Sequence, residues 1–174
     1  MATDDETASP VLDLTADGVE FATWPTPVEN DDLHLGRLSF DLGSPLVTYI
    51  QEGLSYALPP AGWRQDRELE ATFISKDKKA VVRFCFDQVI AFRALDENGL
   101  LELWDVSSKI PRSARTTFRA RGHAWANESF LVFLGEELKS RFSYFIATDD
   151  WCLEVVCVSE PEVSITGPAV INKT

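Results

Sequence analysis

Cysteine, histidine and long hydrophobic runs are all scarce in this chain, and each scarcity removes a class of protein. The three cysteines, Cys85, Cys152 and Cys157, are odd in number and show no Cys-x-x-Cys spacing. That excludes a disulfide framework and a zinc knuckle. Each lies in an apolar, strand-like stretch, where a free thiol behaves as a small hydrophobe. His34 and His123 are the only imidazoles, and neither has a Cys, Asp or second His at ligand spacing. No metal and no cofactor is expected. HExxH, GxSxG, the P-loop and GxGxxG are all missing. No run of 18 apolar residues exists, so no transmembrane helix and no membrane partner are expected. The start, MATDDETASP, lacks the apolar core of a secretory signal, which points to the cytosol. Basic residues are missing from one region altogether: residues 1–36 hold nine carboxylates and no Lys or Arg.

What is present describes a folded chain. Of 174 residues 45% are hydrophobic and 19 are aromatic, enough to bury a sizeable core. The expectation is a single domain over residues 1–174, with an acidic tail at 1–10. Net charge is 16 − 28 = −12, of which residues 1–36 contribute −9. A negative field disfavours nucleic acid and favours a basic partner. The alternative is that acidity only keeps the chain soluble. One basic island breaks the pattern: Lys109, Arg112, Arg115, Arg119 and Arg121, with no acid between Asp105 and Glu128. It either reads an acidic partner or neutralises the N-terminal acidity within the molecule.

The organising stretch is RFSYFIATDDWCLEVVCVSEP, residues 141–161. It predicts two strands around a turn at Asp149-Asp150, whose short carboxylates can bond the backbone two residues on. Its second strand is almost wholly apolar, so the hairpin is expected to be covered on both faces, with Cys152 and Cys157 on opposite sides. Strands are predicted at 35–42, 69–75, 80–86, 89–95, 100–104 and 116–121, with an edge strand at 162–166. A further hairpin is predicted within 11–24, turning at Ala16-Asp17-Gly18. The string from Arg83 to Asp105 reads as a meander of antiparallel neighbours. Two helices are expected. Ser44 and Pro45 supply an N-cap and a first-turn proline, and Leu46, Ile50, Leu54 and Ala57 recur at helical spacing. Residues 127–138 carry a wide apolar face of Phe130, Leu131, Phe133, Leu134 and Leu138. The fold class is then α+β: an antiparallel sheet of about six or more strands with two helices packed against it.

Few residues invite chemistry. Glu154 is the one charge within the central hairpin and needs a cation, with Arg83, Arg93 and Arg141 as candidates. The carboxylate pairs Asp31-Asp32, Asp96-Glu97, Glu136-Glu137 and Asp149-Asp150 read as solvated loop acids rather than catalytic dyads. Trp104 and Trp151 flank predicted turns beside Asp105 and Asp150, an arrangement suited either to core anchoring or to an interface hot spot. Phe84, Phe86, Phe145 and Val155 are expected in the core.

FDQVIAFRALDENGLLELW, then ESFLVFLGEEL, then FSYFIATDDWCLEVVCVSEPEV resemble a loose group of small bacterial proteins. These are regarded as immunity proteins of polymorphic or contact-dependent toxin systems. The resemblance spans roughly residues 84–163 and carries over no functional residues. It implies a non-enzymatic inhibitor that binds a cognate protein toxin with a basic surface. The face expected to do so combines Asp96, Glu97, Trp104, Asp105, Asp149, Asp150 and Trp151. A binding or adaptor module of another bacterial system is the second reading. A small enzyme is the third, to be favoured by convergence of Glu154, a histidine and an arginine in a deep pocket.

Overall fold

The structure, a computed structural model, describes residues 14–16, 18–41, 48–51, 54–57, 68–96, 101–112, 114–123, 125 and 142–169. The predicted central hairpin is present as β10 (Ser143–Ala147) and β11 (Trp151–Cys157). They pair antiparallel, with Phe145 opposite Glu154. β9 (Thr117–Arg121) flanks β10, and β8 (Val89–Asp96) flanks β11. β2 (Val19–Thr23) and β1 (Leu14–Ala16) complete a six-stranded sheet in the order β1-β2-β9-β10-β11-β8.

A second, four-stranded sheet has the order β12-β7-β6-β3. It comprises β3 (Leu33–Asp41), β6 (Glu68–Ser75), β7 (Ala80–Phe86) and β12 (Glu162–Pro168). Here the sequence alternates cleanly. Leu69, Ala71 and Phe73 on β6, with Val82, Phe84 and Phe86 on β7, turn one face inward and are 0–1% exposed. They meet Leu153, Val155, Cys157 and Ile146 from the six-stranded sheet, with Trp24 and Val28 closing the cluster. Trp24 packs edge-on to Tyr144, ring centroids 4.9 Å apart. β12 lies at an edge, as expected.

The other face of the six-stranded sheet is covered by α1 (Leu101–Lys109). Leu103 and Val106 of α1 pack on Val19, Phe21, Phe118, Ala120, Phe145, Ala147 and Cys152. Both faces of the central hairpin are thus buried, and Cys152 and Cys157 fall in different clusters. Phe84, Phe86, Phe145 and Val155 are each 0% exposed.

The expected α+β class is overturned: the described residues are mostly β, in antiparallel sheets of six, four and two strands, with one short helix. Of the helix expected from Ser44 to Ala57, the described residues, 48–51 and 54–57, are strands. β4 (Thr48–Gln51) and β5 (Leu54–Ala57) pair there instead, with Tyr49 opposite Tyr56. Thr48, Tyr49 and Ile50 are β-branched or aromatic, and that preference outweighs the Ser-Pro start signal. The strand expected at 100–104 is the beginning of α1. Leu103 and Val106, with Ile110 just past its end, recur three and four apart, and Asp105 pairs with Lys109 at i,i+4. The meander reading fails at Asp87-Gln88. Gln88 takes a left-handed conformation (φ 51), and the chain leaves the four-stranded sheet for the six-stranded one instead of pairing β7 with β8. The helix expected at 127–138 lies outside the described residues. Among the described residues no helix is long and apolar enough to cross a membrane.

Candidate functional site

β11 presents two carboxylate groupings, one at its exposed start and one in its buried middle. The turn before β11 is fixed by Thr148 rather than by the aspartates. The Thr148 amide donates to the Trp151 carbonyl (2.8 Å), and the Trp151 amide donates to Thr148 Oγ1 (2.8 Å). A threonine hydroxyl can close such a turn as an aspartate does, which leaves the Asp149 and Asp150 carboxylates facing outward. Asp150 meets His34 Nδ1 at 3.1 Å, and Arg115 Nη2 donates to Asp149 at 3.3 Å. All four side chains are more than half exposed. Trp151 is 42% exposed and stands directly opposite Asp96, itself exposed.

Neighbouring loops converge on this rim. Lys78 bonds Asp31 (2.8 Å) and Lys76 bonds Asp32 (3.0 Å). The Lys76 ammonium titrates above its ordinary value, chiefly through the bond to Asp32, with Asp149 and Asp150 adding to the field. The Arg115 amide donates to Asn30 Oδ1 (3.1 Å), and the Thr116 and Thr117 amides both donate to the Glu29 carbonyl. Thr116 Oγ1 donates to the Asp31 carbonyl at 2.7 Å.

The structure therefore brings Asp96, Asp149, Asp150 and Trp151 of the expected face together. Asp105 is exposed on α1 and bound to Lys109. Trp104 is half-buried, packed on the cluster under α1 with the Arg112 guanidinium 4.8 Å from its ring centroid. Glu97 lies outside the described residues.

The second grouping is buried. Glu154 is 0% exposed and receives Arg93 Nε at 2.7 Å; its other oxygen lies 2.6 Å from His123 Nε2. Arg93 stands opposite Glu154 on β8, which answers the sequence-level demand for an arginine. The Arg93 guanidinium lies 4.6 Å from the Trp125 ring centroid. His123 was not foreseen as a partner. The available signal was the Arg-Gly-His end of β9. Gly122 adopts φ 78, and a Cβ there would stand 2.0 Å from the Gly18 carbonyl oxygen, so only glycine lets the chain turn His123 into place. His123 Nδ1 is buried and has no hydrogen-bond partner among the described residues. Cys152 sits on the same face of β11. Burial, and then the nearby Glu154 charge, push its thiol up to about 12.

Most of the basic island bonds within the molecule, while Arg112 lies over the Trp104 and Phe118 rings. Besides Arg115 and Lys109, Arg119 Nε donates to the Thr23 carbonyl (2.7 Å) and Arg121 Nε to Glu20 (2.7 Å). Both guanidinium groups lie over Phe142. Arg121–Glu20 is the intramolecular neutralisation of N-terminal acidity weighed above.

A third cluster lies on the outer face of the four-stranded sheet. Donor atoms of Glu68, Glu70 and Cys85 lie within 4.8 Å of one another, beside an open depression of about 240 Å³ lined by Ser39, Asp41, Glu68 and Glu70. Glu70 already accepts from Arg83 Nη2 at 2.6 Å, and burial raises the Cys85 thiol, which opposes the thiolate a metal needs. Proximity of donors does not by itself make a metal centre here.

Taken together, the described residues form antiparallel β-sheets with a buried His–Glu–Arg network and a charged rim bearing an exposed tryptophan. No protein-family model, no curated protein and no solved structure matches it.

Proposed function

We propose that the protein is a stoichiometric inhibitor that binds a cationic protein partner and, following its resemblance to immunity proteins, neutralises a bacterial toxin by covering its active face. The observation that carries this reading is the rim at the start of β11. Asp149, Asp150 and Trp151 stand exposed on a turn held by four bonds of Thr148, with Asp96 across the strand. A rigid turn loses little freedom on binding. Carboxylates there speed encounter with a basic surface, and the indole supplies a desolvated anchor. A net charge of −12 adds to the attraction.

The grouping of Glu154, His123 and Arg93 has the composition of an acid–base site. At 0% and 1% exposure, Glu154 and His123 are closed to a substrate in this conformation, so the rim is the better-supported site. The test is co-expression with the product of the gene directly upstream, the place where this reading expects a toxin gene. The parent protein restores growth, and Trp151→Ala together with Asp149→Asn and Asp150→Asn abolishes the protection. Protection that survives all three substitutions moves the binding face elsewhere. A parent protein that does not protect favours the adaptor reading.

A further inference from the structure

The rim contains its own example of the group it accepts. Arg115 reaches Asp149 through a single contact of 3.3 Å, with the two side chains 58% and 67% exposed. Exposed pairs of this kind contribute little stability and exchange readily. The backbone of Arg115 is held independently: its amide bonds Asn30, and the next two amides bond the Glu29 carbonyl. Its guanidinium can therefore leave Asp149 without unsettling the loop. The turn does not depend on the pair either, because Thr148 holds it. Two residues beyond Asp149, the partly exposed Trp151 offers an aromatic face, on which a planar guanidinium stacks better than an ammonium. Asp149 engages Arg115 through one oxygen only, whereas a guanidinium docked squarely on a carboxylate makes two parallel bonds.

We infer that the partner delivers an arginine side chain to Asp149 that displaces Arg115, so that the Arg115–Asp149 pair is an internal stand-in competing with the recognition contact. This rests on the reading of the rim as the binding face. It adds the chemistry of the anchor residue and a built-in competitor. Arg115 raises the threshold for binding, and a partner carrying lysine in place of arginine gains less.

The test uses the full chain with two probes, an arginine octapeptide and a lysine octapeptide, titrated calorimetrically at low salt. Arg115→Gln is expected to tighten the arginine peptide roughly two- to fivefold, the scale of one exposed ion pair removed from competition. The lysine peptide is expected to gain less. In an Asp149→Asn background Arg115→Gln is expected to have no effect, because its competition acts only through Asp149. An equal gain in that background, or an equal gain for both peptides, reduces the effect to bulk charge and overturns the inference. Arginine-peptide binding that depends on Asp149 and Trp151 but is not sharpened by Arg115→Gln removes the stand-in alone. Binding indifferent to Trp151→Ala and Asp149→Asn overturns the choice of face as well.

Discussion

Glu154 and the Asp149-Asp150 turn use the same chemistry to opposite ends. Each joins carboxylate to one histidine and one arginine: Glu154 with His123 and Arg93, the turn with His34 and Arg115. In the buried grouping the contacts are 2.6 and 2.7 Å and the carboxylate is sealed from water. At the turn they are 3.1 and 3.3 Å and every group is wet. Environment, not residue type, decides which holds the fold and which remains exchangeable. A buried charge left without its partner is costly, whereas a solvated one simply rehydrates.

The comparison is most sharply broken by removing each carboxylate in turn. Glu154→Ala is expected to cost about 3–5 kcal/mol, because it strands Arg93 and His123 in the interior. Urea denaturation measures it, and a cost near that of Asp150→Ala would erase the distinction drawn here. Gly122→Ala comes next, at more than about 1 kcal/mol, since it forces a side chain into a positive φ and against the Gly18 carbonyl.

The two regions also separate by pH. The Cys152 thiol rises from its ordinary value near 9 to about 12 in the fold. A folded-state value raised above the unfolded one contributes stability that is complete below about 9 and is lost as pH climbs toward 12. Stability is therefore expected to fall across that window, and Cys152→Ala to flatten the fall, as read by denaturation at successive pH values. The smallest effect on stability belongs to Asp149→Asn with Asp150→Asn, under about 1 kcal/mol. Their expected consequence is kinetic: slower association with the cationic partner proposed above, increasingly masked by salt, while Trp151→Ala speeds dissociation.

Much of the buried region was legible in the residues. Phe84, Phe86, Phe145 and Val155 were read as core and are buried, and an isolated Glu154 within an apolar strand required a cation that proved to be Arg93. The His123 contact was not legible, because it depends on a turn at Gly122 that brings a residue beyond the end of β9 back over the sheet. At the rim, the aspartates and Trp151 were legible as a group, but their partners were not. His34 and Arg115 lie 116 and 34 residues away in sequence, so only the tertiary fold pairs them. Two of the errors share a cause: short apolar segments suit either period. Ser44 and Pro45 set a helix start signal before strand-forming residues at 48–57, and 101–109 carried apolar residues that suit a strand as well as a helix. At 101–109 local preference was close to balanced and the packing of Leu103 and Val106 on the sheet decided, whereas at 48–57 strand preference outweighed the start signal.

The order in which the strands are threaded has a consequence for how the chain reaches this state. β2 waits for β9, with Glu20 and Arg121 101 residues apart, and the intervening chain supplies β3, β6 and β7 of the other sheet. That sheet in turn receives its last strand, β12, only after β11 has been made. Neither sheet is a contiguous length of chain, so neither can form first as an independent unit. Such interleaving places the closure of long loops before most of the stabilising contacts, which for β proteins means folding over milliseconds to seconds rather than microseconds. It also ties the rim to the remotest parts of the chain, so that the two sheets are expected to melt in a single transition and the binding surface to vanish with them.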